Sequence, residues 1–208
     1  MTINRMKKDL AGYARKIAAD GLTIGSSGNL SARHGEYFYI KSAGCLFESL
    51  SPDDFVRLSV NRPSTAGLKK TPSCEYRLHA ACYRQRPDIG VVFHSHPFFT
   101  GLMLTKEALA RPVTMEFAAY IKNTLAFVDF APPGSAKLAS LVEKACKKHN
   151  CIFMKKHGLI ALGRNMQEAY VKSLMVEREA RAKLITRLLR LKGACFGKKE
   201  LDMLAGSV

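Results

Sequence analysis

Two histidines separated by one residue close a short apolar run, Ile89-Gly90-Val91-Val92-Phe93-His94-Ser95-His96-Pro97. A run this short, β-branched and bounded by Gly and Pro, reads as a buried strand. Side chains alternate across a strand, so both imidazoles leave on one face, about 7 Å apart along the backbone. With Zn–N bonds of about 2.0–2.1 Å, one ion could reach both rings. Pro97 cannot donate to a sheet ladder, so the strand stops there and its end faces a cleft. A pair alone also fits two hydrogen-bonded surface histidines.

A third histidine stands in a similar place. Cys151-Ile152-Phe153-Met154 is another apolar run, and it leads through Lys155-Lys156-His157-Gly158 into Leu159-Ile160-Ala161-Leu162. His157 therefore lies where one strand hands over to the next, beside a Gly that permits a tight turn. Three histidines on neighbouring strand ends, with a fourth position open, is the arrangement catalytic zinc requires. Imidazoles would also accept Co²⁺ or Mn²⁺. Glu75 is the carboxylate that could work beside the ion. Thr71-Pro72-Ser73-Cys74-Glu75 precedes the helically spaced Leu78, Ala81 and Cys82. Ser73 is the expected N-cap and Glu75 falls in the first turn, where the helix dipole favours negative charge. Stabilising that helix end is the alternative role for Glu75. His79 is i, i+4 from Glu75 and reads as a hydrogen-bonded helix residue, while His34 and His149 read as surface residues.

The order of these pieces resembles the class II aldolase/adducin family, most closely its L-fuculose-phosphate aldolase-like members. Gly25-Ser26-Ser27-Gly28-Asn29-Leu30-Ser31 is similar to the family's Gly-Asn-x-Ser loop. Lys41-Ser42-Ala43-Gly44 stands in place of Thr-Pro-Ser/Thr-Gly. Pro72-Ser73-Cys74-Glu75 follows, with His79 and Tyr83 at further steps of four, then His94-x-His96, Pro133-Gly134-Ser135 with Leu138, and His157-Gly158. The resemblance implies a three-layer α/β/α sandwich around a largely antiparallel sheet. It makes His94, His96 and His157 zinc ligands and Glu75 the catalytic acid/base. It places Gly28, Asn29, Ala43, Gly44, Ser73 and Cys74 around a substrate phosphate. Loop N–H groups and a helix N-terminus suit that role physically. Cys74 for Ser, and Ala43 for a hydroxyl residue, remove two hydroxyl donors from the pattern, and a thiol is only a weak donor. Some members borrow a tyrosine from a neighbouring subunit for proton transfer. Glu116 lies near that place, with Tyr120 one turn beyond.

The activity so implied is zinc-dependent cleavage of a ketose 1-phosphate, such as L-fuculose 1-phosphate, into dihydroxyacetone phosphate and an aldehyde. The ion would take up the enediolate charge. Relatives with other chemistry remain open: sugar-phosphate dehydratases, decarboxylases, and 4-epimerases that tend to carry Asp at the Glu75 position. So does the adducin-type interaction module, which lacks the zinc site. A homotetramer is expected from the family.

Length and composition agree. A chain of 208 residues, 47% hydrophobic, can bury one substantial core, so residues 1–208 are expected to form one domain. The six cysteines lack CxxC spacing and read as reduced thiols in a cytoplasmic protein. No signal-peptide h-region or membrane-length apolar stretch is present. The net charge is +16, from 33 Lys+Arg against 17 Asp+Glu. Basic residues gather at Lys144–Lys156 and Arg178–Lys199, the second on a helix expected over 167–191. They read as a solvated face on an amphipathic helix, with a polyanion-binding surface or steering of anionic substrates as the alternatives. Specific nucleic-acid binding is not expected, since stacking aromatics and nucleic-acid motifs are missing.

Overall fold

The computed structural model of the chain describes residues 2–103, 105, 111–191 and 193–205. Lys192, in the second basic run, lies outside the described residues. Among those described, seven strands form one sheet: β1 (Asn29–His34), β2 (Tyr37–Lys41), β3 (Phe55–Ser59), β4 (Val91–Ser95), β5 (Leu125–Val128), β6 (Cys151–Met154) and β7 (Gly158–Gly163). Their order is β3-β2-β1-β4-β7-β6-β5. Every neighbouring pair is antiparallel except β5–β6. That parallel pair needs a crossover, and helix α4 (Ala136–Cys146; α1–α3 are defined below) supplies it. Ser135 caps α4 by accepting from the Leu138 N–H at 3.1 Å.

The alternation of strand residues builds the layers. On one face Phe38, Ile40, Val92, Ile152, Ile160 and Leu162 pack against α2 (Tyr76–Gln85) and α4. On the other, Leu30, Ala32, Tyr39, Val91 and Phe93 pack against α1 (Ile3–Ala19) and α5 (Met166–Leu188). The result is an α/β sandwich with a mixed, mostly antiparallel central sheet flanked by helices. A short α3 (Phe98–Met103) follows β4, and α6 (Lys198–Ala205) ends the described chain. No helix among the described residues is long and apolar enough to cross a membrane.

Two expectations need correction. Helix α2 begins at Tyr76 rather than at Ser73, and Glu75 occupies its N-cap position without capping it. Pro72 bridges Ser42 and the Ser73 N–H donates to the Lys41 carbonyl at 3.0 Å, so this stretch stays extended beside β2 and delays the helix. Helix α5 ends at Leu188, and its buried positions are mostly small or polar (Ala169, Ser173, Glu179, Ala180). Leu188 and Leu189, 71% and 64% exposed, lie past that contact region.

Glu179 explains why a carboxylate is fully buried there. It accepts from the N–H groups of Val113 and Thr114, both at 2.8 Å, and from the Thr114 hydroxyl at 2.7 Å. Glu179→Ala strands those donors, and we expect a loss of about 3 kcal/mol of unfolding free energy. Urea denaturation checks this as a lower midpoint at an unchanged slope.

Candidate active site

The centre of the sheet gathers the site. On β4, His94 lies opposite Asn29 of β1 and Ile160 of β7. His96 follows the end of that strand. His157 closes the turn from β6 to β7, its N–H donating to the Met154 carbonyl at 3.1 Å. Two glycines allow these backbones to approach. A Cβ on Gly158 would meet the Ser95 carbonyl oxygen at 2.4 Å and the His96 ring at 2.6 Å. One on Gly28, at φ +74°, would meet the His94 carbonyl oxygen at 2.5 Å.

The three imidazoles converge edge to face, with ring centroids 4.7, 4.9 and 5.3 Å apart. Their candidate ligand atoms all lie within 4.8 Å of one another. The His94 Nδ1–H donates to the Leu159 carbonyl at 3.1 Å, which turns Nε2 toward the cluster. That Nε2 faces Glu75 Oε2 at 3.1 Å and His96 Nε2 at 3.0 Å. Glu75 Oε1 lies 3.4 Å from His157 Nε2 and, like His157 Nδ1, is buried without a hydrogen-bond partner. Converging imidazole nitrogens and a carboxylate, with Glu75 Oε1 and His157 Nδ1 left unpartnered in a buried pocket, suit a cation among them. Nitrogen ligands on a tetrahedral ion sit about 3.4 Å apart, close to these spacings. The donor set therefore fits a divalent metal.

Electrostatics agree with that fit. Burial, and then the neighbouring imidazoles, push the His96 pKa down to about 4. Burial and His94 lower that of His157 too. Both rings are thus neutral at neutral pH, with lone pairs available. Burial raises the Glu75 carboxyl, but His94, His157 and the Asn29 amide outweigh it and hold it well below the usual carboxylate range.

The other predicted residues meet here too. Gly28, Asn29, Ala43, Gly44, Ser73, Cys74 and Glu75 line one cavity of about 280 Å³ with His96 and His157. Two backbone donors expected to be free are not. The Ala43 N–H is spent on the Thr71 carbonyl, and that of Ser73 on Lys41, because both continue the β2 edge pairing. The Asn29 side chain is also engaged, donating through Nδ2 to Glu75 Oε2 at 2.9 Å. Glu116 and Tyr120 do not line this cavity. Glu116 faces Arg178 at 3.5 Å, and Tyr120 is 53% exposed.

Sequence reasoning assigns no role to Lys41. It ends β2 fully buried, lines the cavity, and donates to the Ser26 carbonyl at 3.1 Å above the Phe47 ring. Burial lowers its pKa. Its one signal in the sequence is a cation closing the apolar run Phe38-Tyr39-Ile40, where alternation gives no polar face.

Comparison with known proteins matches residues 8–184 to the Class II Aldolase and Adducin N-terminal domain. The chain belongs to this family. It is 29% identical over 184 residues to an L-fuculose phosphate aldolase of Methanocaldococcus jannaschii, covering 88% of this chain and 98% of that one. It is 32% identical over 190 residues to a 5-methylthioribulose-1-phosphate/5-deoxyribulose-1-phosphate aldolase of Rhodospirillum rubrum, covering 89% and 82%. The fold matches l-fuculose-1-phosphate aldolase from Thermus thermophilus with a TM-score of 0.77 at 23% identity, covering 92% and 97%. It matches YgbL from Klebsiella pneumoniae with a TM-score of 0.84 at 18% identity, covering 98% and 99%. The fold and the kinship are those of a class II aldolase-type enzyme with a histidine-based metal-binding cluster.

Gly158→Ala tests the packing that holds this cluster. The new methyl has no room against the β4 backbone, so a loss of about 1–3 kcal/mol is expected in urea denaturation. A Zn²⁺ titration of the same variant is expected to show roughly 10- to 100-fold weaker binding, as when supports of metal ligands are removed.

Proposed function

We propose that the protein is a zinc-dependent class II aldolase that cleaves a ketose 1-phosphate to dihydroxyacetone phosphate and an aldehyde. The observation that carries this reading is the approach of both Glu75 oxygens to the histidine cluster, at 3.1 Å from His94 and 3.4 Å from His157. A carboxylate there stands where a substrate's carbonyl and neighbouring hydroxyl would meet the ion. In this reading His94, His96 and His157 hold Zn²⁺, leaving room for substrate oxygens. When bound, the ion supplies Lewis acidity, drawing off the negative charge that develops beside the carbonyl. Glu75 moves the proton at the adjacent carbon, as base in synthesis and as acid in cleavage. The relatives named for L-fuculose phosphate and 5-methylthioribulose 1-phosphate support a phosphorylated ketose as the substrate class.

The cavity accounts for the phosphate. Gly28, Asn29, Gly44 and Cys74 offer backbone to it, with Ala43 and Ser73 shaping its wall. The Lys41 ammonium supplies positive charge that the lost hydroxyls do not. The net charge of +16 favours encounter with such anions. We place the enzyme in the cytoplasm as a homotetramer. Glu116 and the exposed Tyr120, lying away from their own chain's cavity, are then positioned to serve proton transfer in a neighbour.

Two experiments test the reading. Zinc-loaded protein incubated with dihydroxyacetone phosphate in D₂O is expected to exchange one C3 hydrogen stereospecifically by NMR, and chelation is expected to stop it. Glu75→Gln should keep zinc and lose roughly 10²- to 10⁴-fold in exchange rate, whereas His94→Ala should lose zinc. Undiminished exchange in Glu75→Gln overturns the assignment, and zinc binding without wild-type exchange favours a dehydratase, decarboxylase or epimerase. Separately, Lys41→Met should raise KM for dihydroxyacetone phosphate roughly 10- to 100-fold at near-normal kcat, as loss of a charged hydrogen bond implies. Steady-state kinetics of the exchange read this directly.

A further inference from the structure

Behind Glu75 runs a buried line of polar side chains that the chemistry above does not use. Glu75, His79 and Tyr83 follow one another at steps of four along the start and face of α2. Asn29 and Ser31, two apart on β1, point to the same side of the sheet. The two periods interlock. Asn29 Oδ1 meets His79 Nε2 at 2.5 Å, His79 Nδ1 meets Ser31 Oγ at 2.7 Å, and Ser31 Oγ meets the Tyr83 hydroxyl at 2.7 Å. His79 is 0% exposed, Ser31 0% and Tyr83 1%.

Only one direction of donation satisfies this line. Asn29 turns Nδ2 toward Glu75, so its oxygen faces His79 and needs a donor. His79 must then carry its proton on Nε2, which leaves Nδ1 as an acceptor. Ser31 donates its hydroxyl proton to Nδ1, and its oxygen accepts from Tyr83. Without the His79 donor, only the Glu75 carboxylate would select the facing of the Asn29 amide, and the amide oxygen would lose its one buried donor in the line. An amide turned over would set its oxygen against the Glu75 carboxylate. Burial holds the His79 pKa down to about 3, consistent with a neutral ring of one tautomer.

We propose that His79 is a positioning residue, which fixes the facing of the Asn29 amide and thereby the place at which Glu75 holds its carboxylate. Ser31 and Tyr83 support it by fixing the tautomer. The proposal rests on the aldolase reading for its kinetic consequence but not for its geometry, and its test separates the two. Nitrogen-15 NMR of the wild-type protein is expected to show His79 protonated on Nε2. A crystal structure of zinc-loaded His79→Leu should show the Glu75 carboxylate displaced, with zinc stoichiometry unchanged. In exchange with dihydroxyacetone phosphate, that variant should lose about 10- to 100-fold in kcat with KM within about 2-fold, as misplacement of a reacting group implies. His79→Gln, which restores a donor at the Nε2 position, should recover most of the rate and also serves if His79→Leu does not fold. Protonation on Nδ1 instead, or a Glu75 carboxylate unmoved in the Leu variant, overturns the proposal. If Glu75 moves while wild-type protein shows no exchange, the positioning role stands and the aldolase reading falls.

Discussion

Two imidazole nitrogens 3.0 Å apart, with a carboxylate oxygen 3.1 Å from one of them, repel one another unless a proton or a metal cation lies between them. Much of the structure can be understood as the means of holding that arrangement. The His94 ring cannot turn away, because its Nδ1–H is spent on the Leu159 carbonyl of the neighbouring strand. Glu75 cannot turn away, because its Oε2 accepts from Asn29. Both anchors come from strands that flank β4 in the sheet, so the repulsion is borne by backbone pairing rather than by loops. A site held on paired strands is preorganised in the sense that binding an ion need not first order its ligands.

Close approach of three backbones is the second requirement, and it explains where residues without side chains fall. Gly158 and Gly28 each stand where a single methyl would meet a carbonyl of β4, that of Ser95 or of His94. The histidines supply the candidate ligand atoms, but their spacing is set by what is absent beside them. The aromatic and aliphatic residues on both sheet faces then seal the ligand strands from water, which strengthens every electrostatic interaction inside.

Much of this was legible in the sequence because it depends on local periods. Alternation puts His94 and His96 on one side, and a Gly after His157 announces a turn. The fold class follows from short apolar runs alternating with helical spacing, sharpened by resemblance. The start of α2 was not legible, because it is decided by Pro72 and Ser73 pairing with Ser42 and Lys41, some thirty residues earlier. Lys41 escapes notice for a related reason: a buried cation at a strand end looks, in sequence, like the polar residue that terminates a strand. The helix expected over 167–191 shows the opposite failure, since it ends at Leu188. Spacing in sequence cannot say how far along a helix its packing surface extends.

The departures at positions 43 and 74 acquire a physical reading once Lys41 is in view. Two neutral hydroxyl donors contribute about 1 kcal/mol each, whereas one hydrogen bond to a charged group contributes roughly 1.5–3 kcal/mol. In the proposed aldolase reading, a single buried ammonium is enough to offset both losses. The exchange changes how the cavity behaves, because burial lowers the Lys41 pKa and makes its charge costly when the cavity holds no anion. In that reading an entering phosphate group would supply the pairing that favours the charged form. Anion binding and Lys41 protonation would then be linked, with affinity for a phosphate falling as pH rises through that lowered pKa. Neutral hydroxyl donors carry no such linkage, so in the proposed reading a buried cation in their place would give the cavity a pH sensitivity of its own.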